Sequence, residues 1–139
     1  MRICGVDFKS NEANICLVDL EHGLFNVPDC RARKFTLLNP ASTEEMRQFY
    51  KQFAKLVEDY KIDRIVIRER PMKGKFAGSA AGFKLEAALQ LLTEVACEIM
   101  PSAELKQLVK KIPKVSMKEL GLKQFQEPAF EIAAAYLHK

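Results

Sequence analysis

The feature that most constrains this chain is a double change of hydrophobic period. Residues 2–8 (Arg2 to Phe8) and 13–20 are β-prone runs joined by Lys9-Ser10-Asn11-Glu12, which reads as a hairpin turn. Glu21-His22-Gly23 marks the next turn, and a third extended stretch lies within residues 24–38, interrupted by Pro28-Asp29. Three consecutive strands with tight turns form a meander, so the sheet is expected to begin antiparallel. Then Met46, Phe49, Phe53, Leu56, Val57 and Tyr60 recur at helical spacing behind Ser42-Thr43-Glu44-Glu45, a cap with acids in the first turn. This helix should end near Tyr60-Lys61. Asp63-Arg64-Ile65-Val66-Ile67-Arg68-Glu69 returns to strand character and is the clearest strand in the chain. Because it follows a helix that can act as a crossover, it is expected to pair parallel with the first strand.

Beyond it, Pro71-Met72-Lys73-Gly74-Lys75 reads as a loop, and residues 79–100 as one long helix, apolar over much of its circumference. Residues 103–112 are assigned a fifth short strand, residues 115–126 a loop with room for a short helix, and residues 128–137 a final helix with proline at its first position. The expected class is α/β: a mixed five-stranded sheet, a meander of three strands plus parallel strands, with helices on both faces.

A length of 139 residues suits a single domain spanning 1–139, and 48% hydrophobic with 29% charged residues is an ordinary globular balance. No apolar stretch approaches the roughly 18 residues that a membrane span needs. Asp7 stands where a signal peptide would carry its apolar region, which favours a cytosolic protein. The formal charge of +4 permits a nucleic-acid partner without demanding one. The four cysteines, at positions 4, 16, 30 and 97, include no CxxC pair and read as reduced, mostly buried thiols. His22 and His138 have no neighbouring cysteine or histidine to form a ligand pair.

The acids carry the chemistry. Side chains alternate along a strand, so Ile3, Gly5 and Asp7 share one face, and Ile65, Ile67 and Glu69 share one face. Both acids stand at the C-terminal ends of their strands, which lie about 4.8 Å apart if adjacent. They are expected to meet at the edge where open α/β sheets place ligands. Two close carboxylates repel, and a divalent cation relieves the repulsion. Glu127 and Glu131, four residues apart, lie on the same side of the last helix and are candidates to join them.

A Gly5-Val6-Asp7 strand, the Ile65-Val66-Ile67-Arg68-Glu69 strand and the helix Glu131-Ile132-Ala133-Ala134-Ala135-Tyr136 together resemble the RuvC-type resolvases and their RNase H-like relatives. The resemblance covers nearly the whole chain, in order. It implies an RNase H-like fold and a four-carboxylate, Mg²⁺- or Mn²⁺-dependent site that hydrolyses phosphodiesters, often in a homodimer on branched DNA. By position it implies Asp7, Glu69 and Glu131 as metal ligands, with Glu127 as the fourth catalytic acid. The family has two aspartates three residues apart in the last helix, whereas Pro128 precedes Glu131 by three here.

Positive charge gathers in two places. Lys73 and Lys75 lie in the loop before Gly78-Ser79-Ala80-Ala81-Gly82, a small-residue helix start suited to phosphate, although no Walker motif is present. Lys106, Lys110, Lys111, Lys114 and Lys118 form a second run that suits phosphate contact but not base reading. Three readings compete. The first is a metal-dependent nuclease acting on structured nucleic acid. The second is a non-catalytic nucleic-acid-binding or scaffold domain with an incomplete metal site, which the altered last helix favours. A sugar-kinase or actin-like nucleotide module ranks last, because it needs two such domains around a cleft.

Overall fold

The computed structural model describes all 139 residues. Strand β1 (Arg2–Lys9) turns through Ser10, in the left-handed region at φ 57°, into β2 (Glu12–Glu21). The third extended stretch splits into β3 (Leu24–Asn26) and β4 (Lys34–Thr36) around Pro28-Asp29, and both halves pair antiparallel with β2, at its two ends. Helix α1 (Thr43–Tyr60) begins as expected. Ser42 Oγ accepts the Glu45 N–H at 3.2 Å, and the Glu45 carboxylate accepts the N–H groups of Leu38 and Asn39. It ends at Lys61, whose φ of 51° stops the helix. Strand β5 (Arg64–Arg68) then pairs parallel with β1.

The next stretch departs from expectation by one element. Helix α2 (Ala80–Gln90) is short, and the chain re-enters the sheet as β6 (Ala96–Met100), parallel to β5. Residues 103–112, expected as a strand, instead hold helix α3 (Ser102–Val109). A 3-10 turn at Gln124–Gln126 leads into α4 (Glu127–Leu137). The sheet therefore has six strands, in the order β3-β2-β1-β5-β6 with β4 also on β2. No helix is long and apolar enough to cross a membrane.

Alternation along the central strands divides the core. Cys4, Val6, Phe8, Ile65 and Ile67 pack with Phe49, Phe53, Leu56, Leu85 and Leu89 of α1 and α2. Ile3, Cys16, Val18 and Val66 face Ala129, Ile132, Ala133 and Leu105 of α4 and α3. Gly5 lies on this second face. A Cβ added there would stand 2.1 Å from the Ala129 carbonyl oxygen and 2.7 Å from Ile132 Cγ2. The missing side chain at position 5 thus lets α4 lie directly on β1. Gly5→Ala is expected to destabilise the fold by about 3 kcal/mol, since backbone must move to admit the methyl group. Urea unfolding measures this as a lower midpoint at unchanged slope; an unchanged midpoint would mean that the helix is not seated there.

Candidate functional site at the C-terminal edge of β1 and β5

The register of β1 against β5 decides which groups meet. Gly5 is opposite Val66 and Val6 opposite Ile67. One step further, Asp7 is flanked by Arg68. Gly5 and Val66 face α4, so Asp7 and Arg68 project to that side as well. Glu69 lies past the end of β5 and in alternation with the opposite face. Its Oε1 accepts the Ser102 N–H at 2.9 Å and so caps the start of α3, while its own N–H donates to the Met100 carbonyl. The expected meeting of Asp7 with Glu69 is thus replaced by Asp7 beside Arg68, because strand parity fixes a face only once register is known.

Asp7 is 8% exposed, and burial pushes its carboxyl above the ordinary range while Arg68, Arg70 and Lys9 pull it back. Across the sheet it pairs with Asn14, itself buried, whose Oδ1 has no hydrogen-bond partner. From above, α4 brings Glu131. Its carboxyl is also raised, by burial first, then by Glu127 and by Asp7, with Arg68 opposing. Asp7, Glu131 and Glu127 therefore gather at one edge. Glu127 accepts a hydrogen bond from Gln124 Nε2 at 3.2 Å.

A residue that sequence reasoning missed holds this arrangement. Gln126 is 3% exposed; its Nε2 donates to the Ile15 carbonyl at 2.9 Å, and its Oε1 accepts from the Lys123 N–H and from Arg33 Nη1. It pins the start of α4 to β2. Only its place immediately before the helix hinted at such a role.

The lysines frame the edge. Lys73 and Lys75 are exposed on the loop after β5, together with Phe76, whose ring is 81% exposed and which carries no signal in the sequence. Lys106 is exposed on α3, and Lys110 and Lys111 follow that helix. A cavity of about 540 Å³ is lined by Lys110, Lys114, Glu127 and Glu131 together with Ile112 and Phe130.

The small residues at the start of α2 serve packing. The Arg70 guanidinium lies between the rings of Phe8 and Phe83, at 5.0 and 4.3 Å from their centroids, and pairs with Glu86 at 3.6 Å. A Cβ on Gly82 would stand 2.3 Å from Arg70 Nη1, so the glycine makes room for the arginine. All four cysteines are free, and burial raises the Cys16 and Cys97 thiols to about 12 and about 11, which keeps them unreactive.

The donor set can now be tested against Mg²⁺ or Mn²⁺. Of the four expected carboxylates, Glu69 is bound to the α3 amide, and a cationic side chain stands beside Asp7. No three His, Cys, Asp or Glu side chains are disposed to hold one ion together. The four-carboxylate arrangement implied by the resemblance does not fit these residues.

The architecture has relatives among solved structures. Thermus thermophilus RuvC superposes with a TM-score of 0.74 at 13% identity, over 99% of this chain and 94% of RuvC. The yeast mitochondrial Holliday junction resolvase Ydc2 follows at 0.58 and 13% identity, over 98% of this chain and 77% of that one. The Fowlpox virus Holliday junction resolvase gives 0.53 at 8% identity, over 99% and 97%. The fold is thus RNase H-like, of the RuvC type. No curated protein sequence matches the chain. At the sequence level residues 1–136 match the family described as "Protein of unknown function (DUF3010)", and the chain belongs to that family.

Proposed function

We propose that this protein binds branched or structured nucleic acid along the edge where β1 and β5 end. The observation that carries this reading is the cavity that Lys110 and Lys114 line together with Glu127 and Glu131. A phosphate backbone laid over Lys106, Lys110 and Lys111 would release counterions, the main source of affinity in such complexes. On the other side of the edge, the loop with Lys73 and Lys75 offers phosphate contacts, and the exposed Phe76 ring offers a stacking surface that tolerates any base. The acids beside this path would exclude phosphate from the centre of the site and so favour a backbone that bends around it. Support comes also from the fold, which T. thermophilus RuvC shows in a complex with a Holliday junction substrate. Two copies acting on a two-fold-symmetric branch, in the cytosol, complete the proposal.

Metal-dependent phosphodiester hydrolysis is the second reading. The gathering of Asp7, Glu131 and Glu127 favours it, with Mg²⁺ or Mn²⁺ as the cation and Glu69 as a fourth acid after release from Ser102.

A labelled four-way DNA junction is expected to bind at about 50 mM salt and to weaken steeply by about 200 mM. Joint replacement of Lys106, Lys110 and Lys111 by alanine should flatten the logarithmic salt slope by about one for each lysine that neutralises a phosphate. Fluorescence anisotropy measures both, and an absence of binding at low salt would refute the proposal. With Mn²⁺ added, the bound junction is expected to emerge uncut on a denaturing gel. Cleavage that disappears in Asp7→Asn would instead establish the hydrolytic reading.

A further inference from the structure

We infer that the cavity between residues 109–117 and the first turns of α4 is a pocket for one unpaired nucleotide whose base carries an exocyclic amino group. The ring lies on the apolar lining, the amino group donates to Glu127 and Glu131, and the adjoining phosphate meets Lys110 and Lys114. The inference rests on the nucleic-acid reading above and names the part of the substrate that this cavity selects.

Size and lining come first. At about 540 Å³ the cavity has the capacity of a small-molecule site. Its apolar surface comes from Phe130 and Met117, both buried, and from Ile112 and Val115, both half-buried. The last two pack on the second core yet keep part of their surface uncovered, and a flat heteroaromatic ring is one group that covers such a surface. Both walls are held. The Phe130 ring stands edge-on to Phe25, with centroids 6.1 Å apart, and Gln126 ties the start of α4 to the Ile15 carbonyl. The backbone under Glu127 and, one turn on, under Glu131 is therefore fixed. On the facing segment the N–H groups of Lys111 and Ile112 donate to the carbonyls of Leu108 and Val109, and Met117 is anchored in the second core. The cavity is thus formed before a ligand arrives, which lowers the ordering cost of binding.

Charge names the occupant. Lysines and glutamates line one cavity, yet Lys110, Lys114, Glu127 and Glu131 enter none of the ion pairs of the chain. Glu127 accepts a single side-chain hydrogen bond, from Gln124 Nε2, and the carboxylate of Glu131 is left without one. Donors and acceptors of full charge are thus open together beside an apolar surface. A simple anion would be repelled by the glutamates, and a simple amine by the lysines. A nucleotide answers to both, since its phosphate is anionic while the amino group of adenine, cytosine or guanine donates hydrogen bonds. In a duplex that amino group is engaged by the opposite base and stacked out of reach, so the cavity favours a base that is unpaired. Lys106 and Lys111 continue the run of positive charge along which the flanking phosphates lie.

Fluorescence anisotropy with labelled DNA duplexes that carry one bulged nucleotide tests the inference on the full chain, at about 50 mM salt. A bulged adenine is expected to bind at least about tenfold more tightly than a bulged unsubstituted purine, which has the same ring without the amino group. Joint replacement Glu127→Ala and Glu131→Ala removes two charges that repel DNA, so every duplex should bind more tightly while the preference for adenine over purine disappears. Val115→Trp, which fills the cavity, should lower the adenine bulge to the level of an abasic bulge; the double alanine variant serves if this one does not fold. Adenine bound no better than purine would overturn the inference, assign the cavity to another occupant and leave the nucleic-acid reading standing. A preference that survives the double alanine variant would overturn it as well. Failure to bind any of the duplexes would remove both readings together.

Discussion

The contact on which the rest depends is the seating of α4 on β1 at Gly5. A helix normally keeps a side-chain layer between its axis and a sheet; here the Ala129 carbonyl and the Ile132 and Ala133 side chains occupy the space that any Cβ at position 5 would need. The alanines of α4 serve the same close approach: Ala129, Ala133, Ala134 and Ala135 are all fully buried. Gln126 fixes the start of the helix to β2 through a buried amide hydrogen bond. A helix pinned at its start and pressed down at its first turn has little freedom over the next, where Glu131 lies. The position of that carboxylate is therefore a consequence of core packing, not of a flexible loop.

What this packing produces is an edge where opposite charges are set side by side without being paired off. Asp7 and Glu131 lie partly out of water, with Asn14 unsatisfied next to Asp7, and the opposing charges come from Arg68 for both and from Arg70 and Lys9 for Asp7. Elsewhere Glu69 is spent on a helix cap, and Arg70 lies between two aromatic rings 3.6 Å from Glu86, with its guanidinium nitrogens buried and without a hydrogen bond. The proposed nucleic-acid path follows this edge. The acids that a four-carboxylate metal site would need are differently arranged here.

Much of this was legible in the sequence. The β1–β2 hairpin, α1 with its Ser42 cap and the parallel β5 followed from period and turn chemistry, because each carried both a clean repeat and a local stop signal. The stretch after α2 misleads, since Leu91 and Leu92 extend the apolar count of the helix with neither glycine nor proline to end it. The alternation of Cys97 and Ile99 in β6, with Val95 just before it, is thereby hidden inside a longer helical window. Pro101, with Leu105 and Leu108 behind it, is the available sign of a new helix in α3. The candidate site was legible in part. Asp7 and the acids of α4 stand at the expected ends of their elements, but the partner of Asp7 depends on a one-residue register that no single strand reveals. Arg70 and Gln126 were invisible because their roles arise only from packing across the sheet.

The central claim is that α4 places Glu131 next to Asp7. The most direct measurement is the pH titration of the Glu131 side-chain carboxyl carbon by NMR, in the wild type and in Asp7→Asn. The account predicts a wild-type titration above the ordinary glutamate range, and in the variant a fall toward that range that stops short of it, because burial is the larger cause. An ordinary value in the wild type, or a raised value that Asp7→Asn leaves unmoved, would contradict it.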